Sequence, residues 1–306
     1  MKQEKTLINN KSGADSQIVG GKAANLIILA NNGISVPDAF FLTIFAFEQF
    51  IKENALEKDI ETLVLKTTLP GVLHKGSSLL RKKIINGEVS ASLKKKIETE
   101  FNKRNFNKVS VRSSVNLEDG IKSSFAGQFE SYLFVKKDQL INKMLQIWAS
   151  TFSPRVLVYA LKNGVCPSLL KPGLIIQEMV DADVAGVAFT RNLLNGNSNQ
   201  MIIESCVGTG DKMVDGLVEP NRYLIDRFTK RLVSHTIKNK KTKLKASTLS
   251  SLVLTFLEIE DLYGLPQDIE WAIKDEQIYI LQSRNLVGIN RGSNYDKVSE
   301  ESKWQF

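Results

Sequence analysis

The stretch that most constrains this chain runs from Gln267 to Asn285, QDIEWAIKDEQIYILQSRN. Two runs rich in β-branched and aromatic residues, Ile269 to Ile273 and Ile278 to Leu281, flank a charged break at Lys274 to Gln277, the pattern of a β-hairpin. Side chains alternate between the two faces of a strand, so register decides which of them meet. With a loop of odd length that sets Glu270 opposite Gln282, the residues Asp268, Glu270, Gln282 and Arg284 share one face at the end away from the turn. Ile269, Trp271, Ile273, Tyr279 and Leu281 then take the other. A two-residue turn closing Lys274 on Gln277 instead puts Glu270 and Gln282 on opposite faces. The first register collects two carboxylates, an amide and a guanidinium, a set suited to a metal bound to a polyphosphate. Mg2+ takes hard oxygen ligands at about 2.0–2.1 Å and keeps substrate phosphates in its shell, while a guanidinium fork matches phosphoryl oxygens. Glu270 and the Gln282 carbonyl are the candidate metal ligands, and Arg284 the candidate phosphoryl contact. The same residues also read as a plain amphipathic hairpin with a solvated face and cross-strand ion pairs.

Earlier in the chain, helix formers from Lys22 to Ala30 lie between Gly20-Gly21 and Asn31-Asn32-Gly33, which predicts a helix of about three turns with Lys22 at its N-terminus. Free amides and the helix dipole already favour an anion there, so a lysine at that place points to one. A buried strand ends at Thr43, the expected N-cap of a helix Ile44 to Asn54. Helical and loop sequence fills 55–107, with His74 read as surface loop. The strand Val109 to Ser114 opens a polar loop to Gln128, and Phe129 to Val135 returns as a strand. Small residues at Ser123, Ser124, Ala126 and Gly127 allow backbone amides close to a phosphate, and Arg112 adds a fixed positive charge. A mobile surface loop is the competing reading. Ser153-Pro154 starts a helix that ends at Asn163-Gly164. In the apolar strand Leu174 to Val180, Gln177 needs hydrogen bonds. It either meets an adenine edge, with the flanking backbone of Glu178, Met179 and Val180, or satisfies a neighbouring backbone group. Further strands follow at Val184 to Thr190 and Met201 to Ser205, then a Gly-rich turn Gly208 to Asp211, two short strands around Asp226 to Lys230, and a helix from about Thr248 to Tyr263. Strands come in neighbouring pairs rather than in strict alternation with helices, so the fold class is α+β with mixed or antiparallel sheets.

An apolar share of 42% and a charged share of 24% in 306 residues describe a globular chain with ample core. The N-terminus lacks a signal-peptide core, and the greasiest run, Ala39 to Phe47, is far short of the roughly 20 residues a membrane span needs. Cys166 and Cys206 stand without CxxC spacing, which fits a reducing cytoplasm. The net charge of +8 concentrates at Lys94 to Lys96 and from Lys230 to Lys245. No aromatic residues interleave with these lysines as base-stacking platforms, so solvated faces are expected and nucleic acid is not.

Taken in order, the motifs resemble the ATP-binding domain of the phosphoenolpyruvate synthase, pyruvate phosphate dikinase and rifampicin phosphotransferase family. They are Gly20-Gly21-Lys22-Ala23-Ala24-Asn25-Leu26, Val111 to Ser114 through Ser123 to Gln128, Gln177 to Val180, Gly186 with Phe189-Thr190, Gly216 to Pro220, Gln267 to Trp271, and Leu281 to Arg284. The resemblance implies a two-lobed fold of ATP-grasp type over residues 1–287, with 288–306 a polar tail. It implies ATP and Mg2+ as ligands. Lys22 and Arg112 would bind phosphates, Gly127 and Ser131 would belong to a lid, and Gln177, Met179 and Val180 would meet adenine. Glu270 and Gln282 would hold Mg2+, and Arg284 would stabilise the phosphoryl group in flight, with Lys22 and Arg112 beside it. Two departures stand out: Gly208-Thr209-Gly210-Asp211 replaces the family's Gly-Leu-Gly-Glu, and Leu193 takes a position where proline is common. Family members also carry a swivelling phosphohistidine domain and a domain for pyruvate, phosphoenolpyruvate or drug, and neither fits within these residues. The expected function is an ATP- and Mg2+-dependent phosphotransferase module that passes phosphate to an acceptor in trans, a separate phosphohistidine protein or a small molecule. The alternative is a noncatalytic ATP-binding regulatory subunit.

Overall fold

The computed structural model describes residues 5–286 apart from 11, 66–69, 117–118, 121–122, 125–128, 194–196, 211–212 and 214–215. In chain order the strands are β1 (Leu7–Asn9), β2 (Ala39–Leu42), β3 (Val109–Val115), β4 (Asp119–Gly120), β5 (Ser123–Ser124), β6 (Ser131–Val135), β7 (Pro172–Glu178), β8 (Val184–Phe189), β9 (Gln200–Val207), β10 (Asn221–Asp226), β11 (Leu232–Thr236), β12 (Gln267–Lys274) and β13 (Gln277–Asn285). They build a five-stranded sheet in the order β1-β2-β7-β3-β6, a six-stranded sheet in the order β11-β10-β9-β8-β12-β13, and the short pair β4-β5. Every pairing among the described residues is antiparallel. The α+β class is therefore as expected, and the sheets are antiparallel rather than mixed.

Helices cover the apolar face of the six-stranded sheet and, where β2 and β7 are apolar on both sides, both faces of the five-stranded sheet. The five-stranded sheet sends Phe40, Leu42, Val109, Val111, Leu174 and Ile176 into a core shared with the helices Ile44–Glu53, Pro70–Ile85, Ala91–Lys103 and Leu140–Ser150. Trp148 is its largest side chain, with ring centroids 5.6 Å from Phe47 and 5.1 Å from Phe50. The six-stranded sheet packs Ile203, Ile269, Trp271 and Ile280 against Phe256 and its neighbours on the helix Ala246–Tyr263. Helix Gly21–Asn31 serves both sheets. Ala23, Leu26 and Ile27 pack on Ala39, Phe41 and Ile175, and Leu29 enters the second core. No helix among the described residues is long and apolar enough to cross a membrane.

Three local readings change. His74 lies exposed on the helix Pro70–Ile85 rather than in a loop. Thr43 takes the N-cap position of its helix without capping it, because its hydroxyl donates to the Lys5 carbonyl at 2.7 Å. The short strands predicted around Asp226 to Lys230 are β10 and β11, on either side of that turn. The lysines from Lys230 to Lys245 lie in the turn of this outer hairpin and along the segment that follows it through the short helix Lys240–Thr242, exposed as expected. The predicted tail 288–306 falls outside the described residues.

Candidate functional site

The first cationic corner of the site is made by a glycine that lets a helix touch a strand. Gly20 has φ +83°, and a Cβ on it would lie 2.1 Å from the Ser114 carbonyl oxygen, so only glycine fits there. The close approach brings the helix Gly21–Asn31 against β3, where the Ala23 amide donates to Ser114 Oγ at 3.0 Å. One free amide of the helix start is thereby satisfied from outside the helix. Lys22 sits in this first turn.

On β3, Arg112 pairs across to Ser131 of β6, and Ser110 pairs with Gln177 of β7, which turns these side chains toward the same side of the five-stranded sheet. After β7 the chain crosses to the six-stranded sheet through residues 179–183. Asp183 ties this crossing to the tip of the β12-β13 hairpin, accepting from Lys274 Nζ at 3.0 Å and from the Asp275 amide at 3.1 Å.

The hairpin resolves the register question with a device the sequence did not display. Lys274 does pair with Gln277, so the turn has two residues, Asp275 and Glu276, with φ +50° and +64°. That turn alone would separate Glu270 from Gln282. A bulge undoes the slip: Trp271 pairs with Ile280, and Glu270 pairs with Gln282, so Leu281 is the extra residue. Asp268, Glu270, Gln282 and Arg284 therefore share a face, as the odd-loop register required. The opposite face differs from expectation. Ile278 and Ile280 join Ile269, Trp271 and Ile273 in the core, while Leu281 packs with Val180, Ala182, Ala185 and Ala272 on the other side.

These elements enclose a cavity of about 540 Å3 between the two sheets. Lys22, Arg112, Ser131, Gln177, Met179, Val180, Glu270, Gln282 and Arg284 all line it. Gly127 and Asp211 fall outside the described residues. Arg112 Nη1 donates to Glu270 Oε2 at 2.9 Å, an ion pair that spans the two sheets. Arg284 Nε donates to Asp268 Oδ2 at 2.9 Å. Burial pushes the Glu270 carboxyl up, but Arg112, with Lys22 and Arg284 beyond it, outweighs burial and holds the group below the usual glutamate range. Asp268 goes the other way. Its burial exceeds the pull of Arg284, and the Glu270 charge adds to it, so the carboxyl is raised.

Four buried donors on residues that line the cavity have no hydrogen-bond partner, Gln177 Nε2, Arg112 Nε, Ser113 Oγ and Trp271 Nε1. Beside Gln177, the Glu178 amide donates to the Asp38 carbonyl at 2.8 Å and the Met179 amide to the Lys108 carbonyl at 3.0 Å. Among the described residues the Val180 amide has no partner. The wall thus offers an unpaired amide side chain and an unpaired backbone amide beside an apolar patch, a donor arrangement for a flat heteroaromatic edge. Among the described residues no cluster of three or more His, Cys, Asp or Glu forms a metal site, so a cation here would rest on Glu270 and Gln282 and take its remaining ligands from elsewhere. The site residues that sequence reasoning missed are Ser114 as a cap and the alanines Ala182, Ala185 and Ala272 as the apolar wall.

The chain is similar to proteins of one kind along nearly its whole length. Residues 16–304 match the family model described as pyruvate phosphate dikinase, AMP/ATP-binding domain. A probable phosphoenolpyruvate synthase of Methanocaldococcus jannaschii is 31% identical over 96% of this chain and 27% of its own length. An uncharacterized phosphotransferase of Bacillus subtilis, YvkC, is 31% identical over 95% of this chain and 35% of its own. The chain thus spans about a third or less of these relatives. Likeness to solved structures is distant: D-alanine–D-alanine ligase from Bacillus anthracis covers 92% of the chain, and 61% of its own, at 12% identity and a TM-score of 0.37. On the family match and the extent of these similarities, the chain belongs to the pyruvate phosphate dikinase AMP/ATP-binding domain family.

Proposed function

We propose that residues 1–287 form a two-lobed nucleotide-binding domain of ATP-grasp type, that its cleft binds ATP with Mg2+, and that it passes a phosphoryl group to an acceptor in trans. The observation that carries this reading is that Lys22, Arg112, Glu270, Gln282 and Arg284, drawn from both ends of the sequence, line one cavity together with Gln177 and the crossing between the sheets. The unpaired Gln177 Nε2 and Val180 amide give an adenine edge its donors. Val180, Ala182, Ala185, Ala272 and Leu281 give its ring an apolar slot.

Lys22 and Arg112 then neutralise the phosphates, and Ser131 on the strand beside Arg112 belongs to the closing lid with Gly127. Arg284, held by Asp268, meets the phosphoryl group in transfer, where charge spread over equatorial oxygens makes positioning and electrostatics the main catalytic contributions. Glu270 and the Gln282 carbonyl would hold Mg2+, which would supply positive charge to offset that of the phosphates. A Glu270 carboxyl held below the usual glutamate range by its cationic neighbours suits that role, because a metal ligand of this kind must be ionised. The acceptor is a histidine on a separate domain or a small molecule bound directly. Cys166 and Cys206 are both free thiols, which supports a reducing cytoplasm as the setting.

The test is to incubate the purified chain with ATP and Mg2+, with and without proteins carrying a phosphohistidine domain, and to follow ADP, AMP and phosphate. Turnover in the wild type and its loss by at least about a thousandfold in Arg284→Met is the expected result, on the scale set by arginines that stabilise phosphoryl transfer. ATP binding without turnover under any condition would favour a noncatalytic, regulatory nucleotide-binding subunit.

A further inference from the structure

The bulge at Leu281 is what brings Gln282 onto the face of Glu270, and β13 lies at the edge of its sheet, where register has no second neighbouring strand to fix it. Two hydrogen bonds on that open edge bracket the bulge. On one side the Ile280 amide donates to the Ser35 carbonyl at 2.8 Å. On the other, Asn25 Nδ2 donates to the Ser283 carbonyl at 2.9 Å. Both partners belong to the helix Gly21–Asn31 and the turn that follows it, the same helix that carries Lys22.

Asn25 and Ser283 are themselves anchored. The Asn25 carbonyl accepts from the Tyr263 hydroxyl at 3.1 Å. The Ser283 hydroxyl donates to Gln267 Oε1 at 2.7 Å, and Gln267 Nε2 donates to Asn285 Oδ1 at 2.7 Å. The Gln267 amide donates in turn to Thr190 Oγ1 at 2.8 Å. Ser283 and Gln267 are wholly buried, and satisfied buried networks of this kind fix one arrangement, because any shift strands a polar group.

We infer that Asn25 is a positioning residue: it locks the bulged register of β13, and thereby holds Gln282 and Arg284 on the cavity face in a fixed relation to Lys22. The inference rests on the proposed Mg2+-nucleotide site for its functional consequence, but not for its structural one. A one-residue slip of β13 would restore a regular ladder from the turn and carry Gln282 to the far face. Without the Asn25 amide, the Ser283 carbonyl loses its partner on the edge and the slip is opposed by less.

Hydrogen exchange followed by mass spectrometry on the ligand-free chain tests the structural half. Asn25→Ala is expected to speed exchange in peptides covering 278–285 at least tenfold, with peptides from β3 and β7 unchanged. Asn25→Asp, the same size but without the donor, is expected to do the same. Calorimetric titration with the nonhydrolysable analogue AMP-PNP tests the functional half. Both variants should weaken binding about tenfold in the presence of Mg2+ and by less in its absence, where only the Arg284 contact is affected; unchanged affinity in both conditions would overturn the functional half. Unaltered exchange at 278–285 in both variants would overturn the inference, as would faster exchange spread evenly over both sheets. Faster local exchange in both variants, together with a wild-type chain that binds no nucleotide, would sustain the register lock and overturn the nucleotide reading instead.

Discussion

Glu270 and Asp268 lie two residues apart on one strand face, yet their environments push their carboxyls in opposite directions, so they contribute opposite pH dependences to stability. Glu270 is depressed in the folded chain because Arg112, Lys22 and Arg284 outweigh its burial. Its contribution is complete above the ordinary glutamate value of about 4.3 and is lost as pH falls through the lower, folded value. Asp268 is raised by burial despite Arg284, so its contribution is complete below the ordinary aspartate value of about 3.9 and is lost as pH rises through the folded one. Urea denaturation across the acid range separates the two. The stability difference between wild type and Glu270→Gln should shrink as pH falls, and that between wild type and Asp268→Asn should shift against the wild type as pH rises. Parallel curves for both variants would refute the assignment. Gln177 gives a second residue-scale expectation. Its buried Nε2 is unpaired, and such a group costs about 1–3 kcal/mol, so Gln177→Met should stabilise the ligand-free protein, raising Tm by about 2 °C or more. The same change should weaken ATP binding about tenfold if the amide meets the adenine edge. A variant less stable than wild type would mean that Gln177 serves the fold instead.

Among the elements, the β12-β13 hairpin joins two consecutive residues of positive φ to direct control over the site. Its turn residues Asp275 and Glu276 both have positive φ, the demand of a type I′ turn, which Asn-Gly meets best. The double substitution Asp275→Asn and Glu276→Gly should therefore stabilise the chain by about 1 kcal/mol, measured by urea denaturation. The cost is small. The Lys245–Glu276 and Lys274–Asp275 pairs that are lost lie at the surface, and the Asp275 amide that bonds Asp183 belongs to the backbone. This hairpin also marks how far the sequence could be read. Alternating runs about a charged break announced the strands, and the residues of the site face were legible as a set. The register was not, because the turn and the bulge each shift it by one and only their combination restores Glu270 opposite Gln282. The bulge depends on Ser35 and on Asn25, some 258 residues from its partner Ser283, and no local pattern encodes such a contact. Thr43 and Ser114 teach the same lesson. Each is a hydroxyl beside a helix start, and tertiary approach decided which one caps.

At the scale of the whole molecule, the cavity walls belong to two sheets, joined among the described residues by the crossing at 179–183, the Arg112–Glu270 ion pair and the helix Gly21–Asn31. That helix contributes Leu29 to the core of one sheet and Ala23, Leu26 and Ile27 to a cluster on the other, so neither sheet can shed it without exposing apolar surface. A ligand spanning the cavity should consequently stabilise both sheets together. At a free concentration of one hundred times Kd, a ligand that binds only the folded state adds about 2.7 kcal/mol. With AMP-PNP and Mg2+ at that level, hydrogen exchange in the slowest peptides of β3 and of β12 should slow by about the same factor, roughly one hundredfold. Lys22→Met acts from the helix and Arg112→Met from the five-stranded sheet. Each should reduce the protection of β12 as well as that of β3 at the same ligand concentration, because a phosphate released at one wall loosens the nucleotide at the other. Protection confined to one sheet, or a β12 signal indifferent to Lys22 and Arg112, would mean that the bound nucleotide does not bridge the cleft.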